Sequence, residues 1–283
     1  MRKVIAFPLV RLAIIAAGFA VILSIALAAE RGRHSVWTSI VVTSVIIALL
    51  VGLIALVERM TTGRHLASIG FDPRNASRDI ALGFGLGAVM FSLVILELAL
   101  AGHYRVSAVH VTWDLAVAVP LIGSGAVFEE LLFRGVLFRL VEEWLGTWIA
   151  LAVSALIFGA AHAFNTGATW VSTLAIALEA GVLLGSAFVI TKNLWFPIGV
   201  HFAWNFFEGP VYGTQVSGHM FLTSLLSAHM AGPAWVTGGA FGPEAGVPAI
   251  ATSLVASIAL LVFASRRALI VPIRRASHFY VSS

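Results

Sequence analysis

Long apolar runs separated by short polar interludes set the pattern of this chain. The first run, Leu12–Ala29, has 18 residues, about the minimum for a helix crossing a ~30 Å hydrocarbon layer. Met1-Arg2-Lys3 has the form of a signal-peptide start. The run outlasts a usual signal core and opens at Arg11, so we read it as the first transmembrane helix. A second span covers Val36–Val57. Glu58–Asp79 is polar, carries Arg59, Arg64, Arg74 and Arg78 with a turn at Asp72-Pro73, and reads as a loop with a short interfacial helix. A third span is expected over Ile80–Ala101, with Glu97 near its far end, and its Gly83-Phe84-Gly85-Leu86-Gly87 run predicts close helix packing. Trp113–Leu140 is too long for one straight helix. Pro120, Gly123 and Gly125 interrupt it, so a fresh helix is expected to start just after them. Spans over Trp148–Phe164 and Val171–Ile190 follow, then a polar turn at Lys192-Asn193. A seventh apolar segment, Leu194–Phe207, contains Pro197. Glu208–Val247 is rich in Gly, Pro, Ser and Thr and reads as a long loop folded on the membrane surface. An eighth span, Pro248–Ala264, leads into a basic tail. No internal repeat is evident.

Composition turns this pattern into a class. The 283 residues are 60% hydrophobic and only 11% charged, with a mean hydropathy of +1.00, whereas a soluble domain carries about 25% charged residues. The reading is an all-α polytopic integral membrane protein of about eight transmembrane helices, with a polar site buried between them. Three regions are expected: 1–110, N-terminal helices and a basic loop; 111–264, a catalytic membrane domain; and 265–283, a basic tail. The excess of 17 Lys and Arg over 13 Asp and Glu reads as membrane topology and not as nucleic-acid binding. With the N-terminus inside, eight spans keep Arg2, Lys3, Arg11, the four loop arginines, Arg139, Lys192, Arg266, Arg267, Arg274 and Arg275 inside. Only Arg31, Arg33 and Arg105 fall outside. That arrangement predicts a plasma-membrane protein with both termini cytoplasmic. Trp37, Trp113, Trp148, Trp170 and Trp195 sit near span ends, as an aromatic belt does. The chain has no cysteine, which excludes a disulfide framework, thiolate metal ligands and a thiol nucleophile.

Polar residues inside three apolar segments carry the candidate chemistry. Charged groups at membrane depth are rare and usually functional. Glu130 and Arg134 are four apart, share a helix face and can pair. Glu129 lies about 100° round the helix and lacks that partner. Phe158 with His162, and His201 with Asn205, are likewise four apart. Approximate depth counting puts Glu129, His162 and His201 near mid-membrane, where they should face one another or a water-filled cavity. A carboxylate and an imidazole can hold and deprotonate a water, while a second imidazole and a carboxamide can stabilise an oxyanion. Two histidines and one carboxylate (Glu129, His162, His201) are also a sufficient ligand set for a divalent metal, zinc above all. No H-E-x-x-H is present, and the residues alone leave the metal and metal-free routes open. Taken singly, the Glu130–Arg134 pair also reads as structural. Glu97 and Glu179 read as interhelical or interfacial groups, Glu208 as a possible cavity neighbour, and His219, His229 and Glu244 as solvated loop residues.

The ordered set E-E-x-x-x-R (Glu129, Glu130, Arg134), F-x-x-x-H (Phe158, His162) and H-x-x-x-N (His201, Asn205) resembles the CPBP family. These are the type II CAAX prenyl endopeptidases and bacteriocin-processing membrane proteases, also called the Abi family. His201–Pro210 and Gly238–Glu244 are similar to prokaryotic members, the second without a role we can derive; the first ~110 residues match only in hydrophobicity. The resemblance implies an intramembrane endopeptidase in which Glu129 and His162 activate water, His201 and Asn205 stabilise the oxyanion, and Glu130, Arg134 and Phe158 support them, with Glu130 and Arg134 holding Glu129. It also implies a membrane-associated protein or peptide as substrate, prenylated or not, within the lipid bilayer. The competing readings are a non-catalytic scaffold or bacteriocin-immunity-type protein and, less favoured, an ion-coupled transporter.

Overall fold

The computed structural model describes residues 2–30, 35–111, 113–221 and 223–273. Helices α1 (Pro8–Glu30), α2 (Val36–Thr61) and α3 (Ala76–Leu100) are followed by β1 (Tyr104–Val109). Helix α4 (Asp114–Glu130) continues without a break into a π-helical stretch, Leu131–Phe138, and then into α5 (Arg139–Leu145). After α6 (Thr147–Ala161), α7 (Trp170–Ile176) passes through a π turn, Ala177–Gly181, into α8 (Val182–Thr191). Helix α9 (Trp195–Phe206) also ends in a π turn, Phe207–Val211; β2 (Leu226–Met230) and α10 (Val247–Arg266) complete the chain. Seven helices among the described residues are long and apolar enough to cross a membrane. The eighth apolar segment, α9, is shorter than these even with its π turn. The protein is a polytopic, mainly α-helical membrane protein, as the apolar pattern predicts.

The fourth segment departs from expectation. Pro120, Gly123 and Gly125 lie inside α4 and do not interrupt it. Helix-breaking residues are tolerated in membrane helices because neighbouring groups re-satisfy the freed backbone. The irregularity falls instead at 131–138, just past the paired glutamates. The glycines of α3 do what their spacing predicts. A Cβ on Gly83 would stand 2.3 Å from the Phe196 carbonyl oxygen, and one on Gly87 2.4 Å from that of Val200. Gly199 repays the approach from α9, where a Cβ would meet the Ile80 carbonyl at 2.5 Å. Backbone against backbone, α3 holds α9 in place for the site.

At one end of the bundle, charges bind the helices together. Glu58 is part of α2 and not of the polar loop the sequence suggested. It is fully buried, accepts from Arg11 Nη1 at 2.8 and 3.0 Å and from Arg139 Nη2 at 2.7 Å, and so joins α1, α2 and α5. Glu143 links Arg11 to Arg64 at 2.6 and 2.8 Å, and Glu142 takes Lys192 at 2.6 Å. Thr147 N–H donates to the Val271 carbonyl at 3.0 Å, which brings the segment after α10 to the same end. Arg31, Arg33, Arg274 and Arg275 lie outside the described residues.

At the other end, β1 and β2 pair antiparallel, Tyr104 opposite Met230, with an irregularity between Val106 and Ala108. The buried Tyr104 hydroxyl donates to the Tyr212 carbonyl at 2.8 Å, and burial pushes its pKa up to about 12. The segment from 212 to 246 is therefore more than a surface loop. It contributes a strand, and several of its residues turn back into the bundle.

Candidate active site

Three π segments mark where the site is built. Glu130 immediately precedes the first, Glu179 lies in the second and Glu208 in the third. Such bulges recur at functional positions because an extra residue in a turn re-aims side chains. Helices α6 and α7–α8 are pressed together by glycine: a Cβ on Gly159 would lie 2.4 Å from the Thr173 carbonyl, and one on Gly181 2.7 Å from the Ala155 Cα.

Glu129, His162, His201 and Asn205, from α4, the end of α6 and α9, all line one cavity of about 700 Å³. Glu129 Oε2 lies 3.9 Å from His162 Nε2 and 3.9 Å from His201 Nε2. That oxygen is buried and meets no donor. His162 Nδ1 is 2.8 Å from the Phe158 carbonyl. A carbonyl only accepts, so Nδ1 carries the proton and Nε2 turns a lone pair toward Glu129. His201 Nδ1 is 2.9 Å from Glu130 Oε1 and donates to it. Both histidines therefore direct Nε2 at the same carboxylate oxygen. Asn205 lines the cavity with its carboxamide bonded to no described residue.

The supporting residues act differently from the expectation. Arg134 Nη1 donates to Glu130 Oε1 at 2.8 Å, and its Nη2 to the Ala180 and Gly181 carbonyls at 3.2 and 3.3 Å. Glu130 and Arg134 thus orient His201, not Glu129. A carboxylate behind an imidazole fixes its tautomer and ring angle. Phe158 packs between these groups, with Arg134 over its face at 4.6 Å and the His162 ring centroid at 4.7 Å.

The donor chemistry suits zinc, but the spacing is wide. Ligands about 2.0 Å from a tetrahedral zinc stand about 3.3 Å apart, less than the 3.9 Å here. Among the described residues no group of three His, Cys, Asp or Glu side chains could hold a metal ion as placed.

Residues 111–207 match the family described as type II CAAX prenyl endopeptidase Rce1-like. Over this segment, about a third of the chain, the sequence is similar to the CAAX-protease family. The match takes in α4 to α9, and with them Glu129, Glu130, Arg134, Phe158, His162, His201 and Asn205. It supports a protease. No curated protein and no solved structure matches the chain significantly.

Sequence reasoning missed part of the wall. Glu244 is 3% exposed and lines the cavity, so it is no solvated loop residue. Glu179, 1% exposed, lines it too, and its Oε2 has no hydrogen-bond partner. His219 is exposed but also reaches the cavity, whereas His229 stays in the exposed hairpin. The available signals were a glutamate in mid-span and the Gly238–Glu244 motif.

Proposed function

We propose that the chain is an intramembrane endopeptidase that hydrolyses a peptide bond of a membrane-associated protein or peptide, prenylated or not, by a water activated at Glu129 and His162. The observation that carries this reading is Glu129 Oε2, a buried oxygen without a donor, 3.9 Å from the Nε2 of each of two histidines. A water about 2.8 Å from both Glu129 Oε2 and His162 Nε2 would subtend about 90° between them, close to its own bond angle. It donates one proton to each acceptor and turns its lone pair toward the cavity.

Attack forms the new C–O bond and moves one water proton to the Glu129–His162 pair. The amide oxygen becomes an oxyanion, which the Asn205 N–H and the His201 Nε2–H receive. Since His201 gives its Nδ1–H to Glu130, donation from Nε2 requires the doubly protonated ring, and the Glu130 carboxylate supports that form. Collapse breaks the C–N bond, and the leaving amine takes the stored proton. A general base supplies about 10²–10⁴ in rate, and an oxyanion donor about 10²–10³.

In the second reading Glu129, His162 and His201 would hold a zinc ion, which requires them to draw closer than the 3.9 Å seen. Zinc would then polarise the substrate carbonyl and acidify water. The two readings separate in purified protein. Activity that survives chelation, with zinc well below one equivalent, supports the metal-free step; loss on chelation with recovery on zinc addition assigns Glu129, His162 and His201 to the ion. The bias of basic residues along the sequence supports a plasma-membrane topology with both termini cytoplasmic. A scaffold or immunity-type protein would tolerate loss of Glu129, and a transporter would show ion-coupled flux instead of cleavage.

A further inference from the structure

The Gly238–Glu244 stretch is built to deliver one carboxylate. Gly238, Gly239 and Gly242 adopt φ of 73°, 62° and 122°. A Cβ on Gly238 would stand 1.6 Å from the Gly242 carbonyl oxygen, and one on Gly242 2.3 Å from that of Gln215. Only glycine closes this turn. Gly218 N–H donates to the Phe241 carbonyl at 2.6 Å and ties the turn to the neighbouring strand of chain. The turn ends at Glu244 on the cavity wall, where its carboxylate accepts from the Ser217 hydroxyl.

Two more buried carboxylates belong to this place. Glu208, from the π turn after α9, lies against Glu244, and Glu179 lines the same cavity. Apart from the contact between Glu208 and Glu244, the Glu208 oxygens and Glu179 Oε2 meet no hydrogen-bond donor. The field of Arg134 reaches the cluster. However, Arg134 bonds Glu130 and two backbone carbonyls, while His162 faces Glu129. Buried carboxylates without a cation are costly, and here an open cavity leaves room for one from outside the chain. The three are not spaced to hold a metal ion, which favours a polyatomic cation with longer hydrogen bonds.

We propose that Glu179, Glu244 and Ser217 on the cavity wall, with Glu208 behind Glu244, form a cation subsite that takes the ammonium or guanidinium of a lysine or arginine side chain in the bound peptide. The proposal rests on the endopeptidase reading for the ligand's being a peptide, and its test reads binding without turnover, so the two can fail separately. The probes are labelled, N-acetylated and C-amidated apolar pentapeptides with lysine, arginine, acetyl-lysine or norleucine at the centre. A fifth peptide has central norleucine and a free N-terminus. Fluorescence anisotropy measures their affinity for the full-length Glu129→Gln protein in nanodiscs. The lysine and arginine peptides should bind about tenfold or more tighter than the norleucine and acetyl-lysine ones. Adding Glu244→Gln or, separately, Glu179→Gln should shrink that gap to about twofold while thermal unfolding shows each variant folded. Equal affinities, including no binding by any probe, overturn the proposal. So does a preference that survives both variants, or one shown only by the free N-terminus. Cleavage by the wild type, scored separately, tests the endopeptidase reading.

Discussion

Replacing Glu58 by glutamine removes the carboxylate that bridges two buried guanidinium groups, those of Arg11 and Arg139, and leaves Arg11 with Glu143. The side chain is fully buried, as is that of Arg11, and Arg139 is 9% exposed. Three charge-assisted contacts of 2.7, 2.8 and 3.0 Å would be lost or weakened, together with one from the Thr62 hydroxyl at 3.1 Å. Summing such contacts at about 1.5–3 kcal/mol each overshoots, because they share one acceptor group. Removing one partner of a buried ion pair costs about 3–5 kcal/mol, and that is the expected loss. For a chain of this size it corresponds to a fall in melting temperature on the order of 10 °C. The assay is thermal unfolding of purified protein in one detergent, with exposed Glu97→Gln as the control expected within about 1 °C of wild type. Adding Arg139→Gln to Glu58→Gln should recover part of the loss, since it removes one stranded charge. A Glu58→Gln protein melting with the wild type would refute the argument that these charges are buried and paired at the joint of α1, α2 and α5.

Other perturbations test other links. Gly87→Val should separate α3 from α9 and lower stability and yield, whereas Gly85→Ala, which meets open space, should be silent in the same unfolding assay. Asn205→Ala should lower kcat about 10²–10³-fold with a much smaller change in KM, measured on any peptide the wild type cuts. Burial raises the Glu244 pKa above its ordinary 4.5, so the folded state retains a proton that the unfolded chain releases. Stability should therefore fall as pH rises from about 4.5 through the folded pKa. Glu244→Gln should flatten that part of a melting-temperature profile.

Most of the membrane fold was legible because apolar runs of span length have few alternatives in lipid. The helix boundaries were less so, since Glu58 and Glu208 read as loop by polarity alone. Polarity does not reveal a buried partner such as Arg139, 81 positions away. The π stretch after Glu130 was misplaced onto Pro120 for a related reason. Proline marks a break by its own chemistry, whereas a π turn leaves no residue signature. For the candidate site, four-residue spacing put His201 and Asn205 on one face and paired Glu130 with Arg134, as seen. Which group Glu130 would orient was invisible, because it depends on how α9 docks on α4. Glu244 was misread as solvated because a Gly-rich segment looks the same whether it lies on a surface or folds back into a cavity.

The most direct test compares membrane proteomes of cells expressing the wild type, Glu129→Gln and His162→Ala at matched levels, with new protein N- and C-termini mapped by mass spectrometry. The account predicts termini present with the wild type and absent with both variants, and the flanking sequences would identify the substrate. Termini that persist in Glu129→Gln cells would contradict water activation at this carboxylate, and profiles identical across all three would favour a scaffold over a protease.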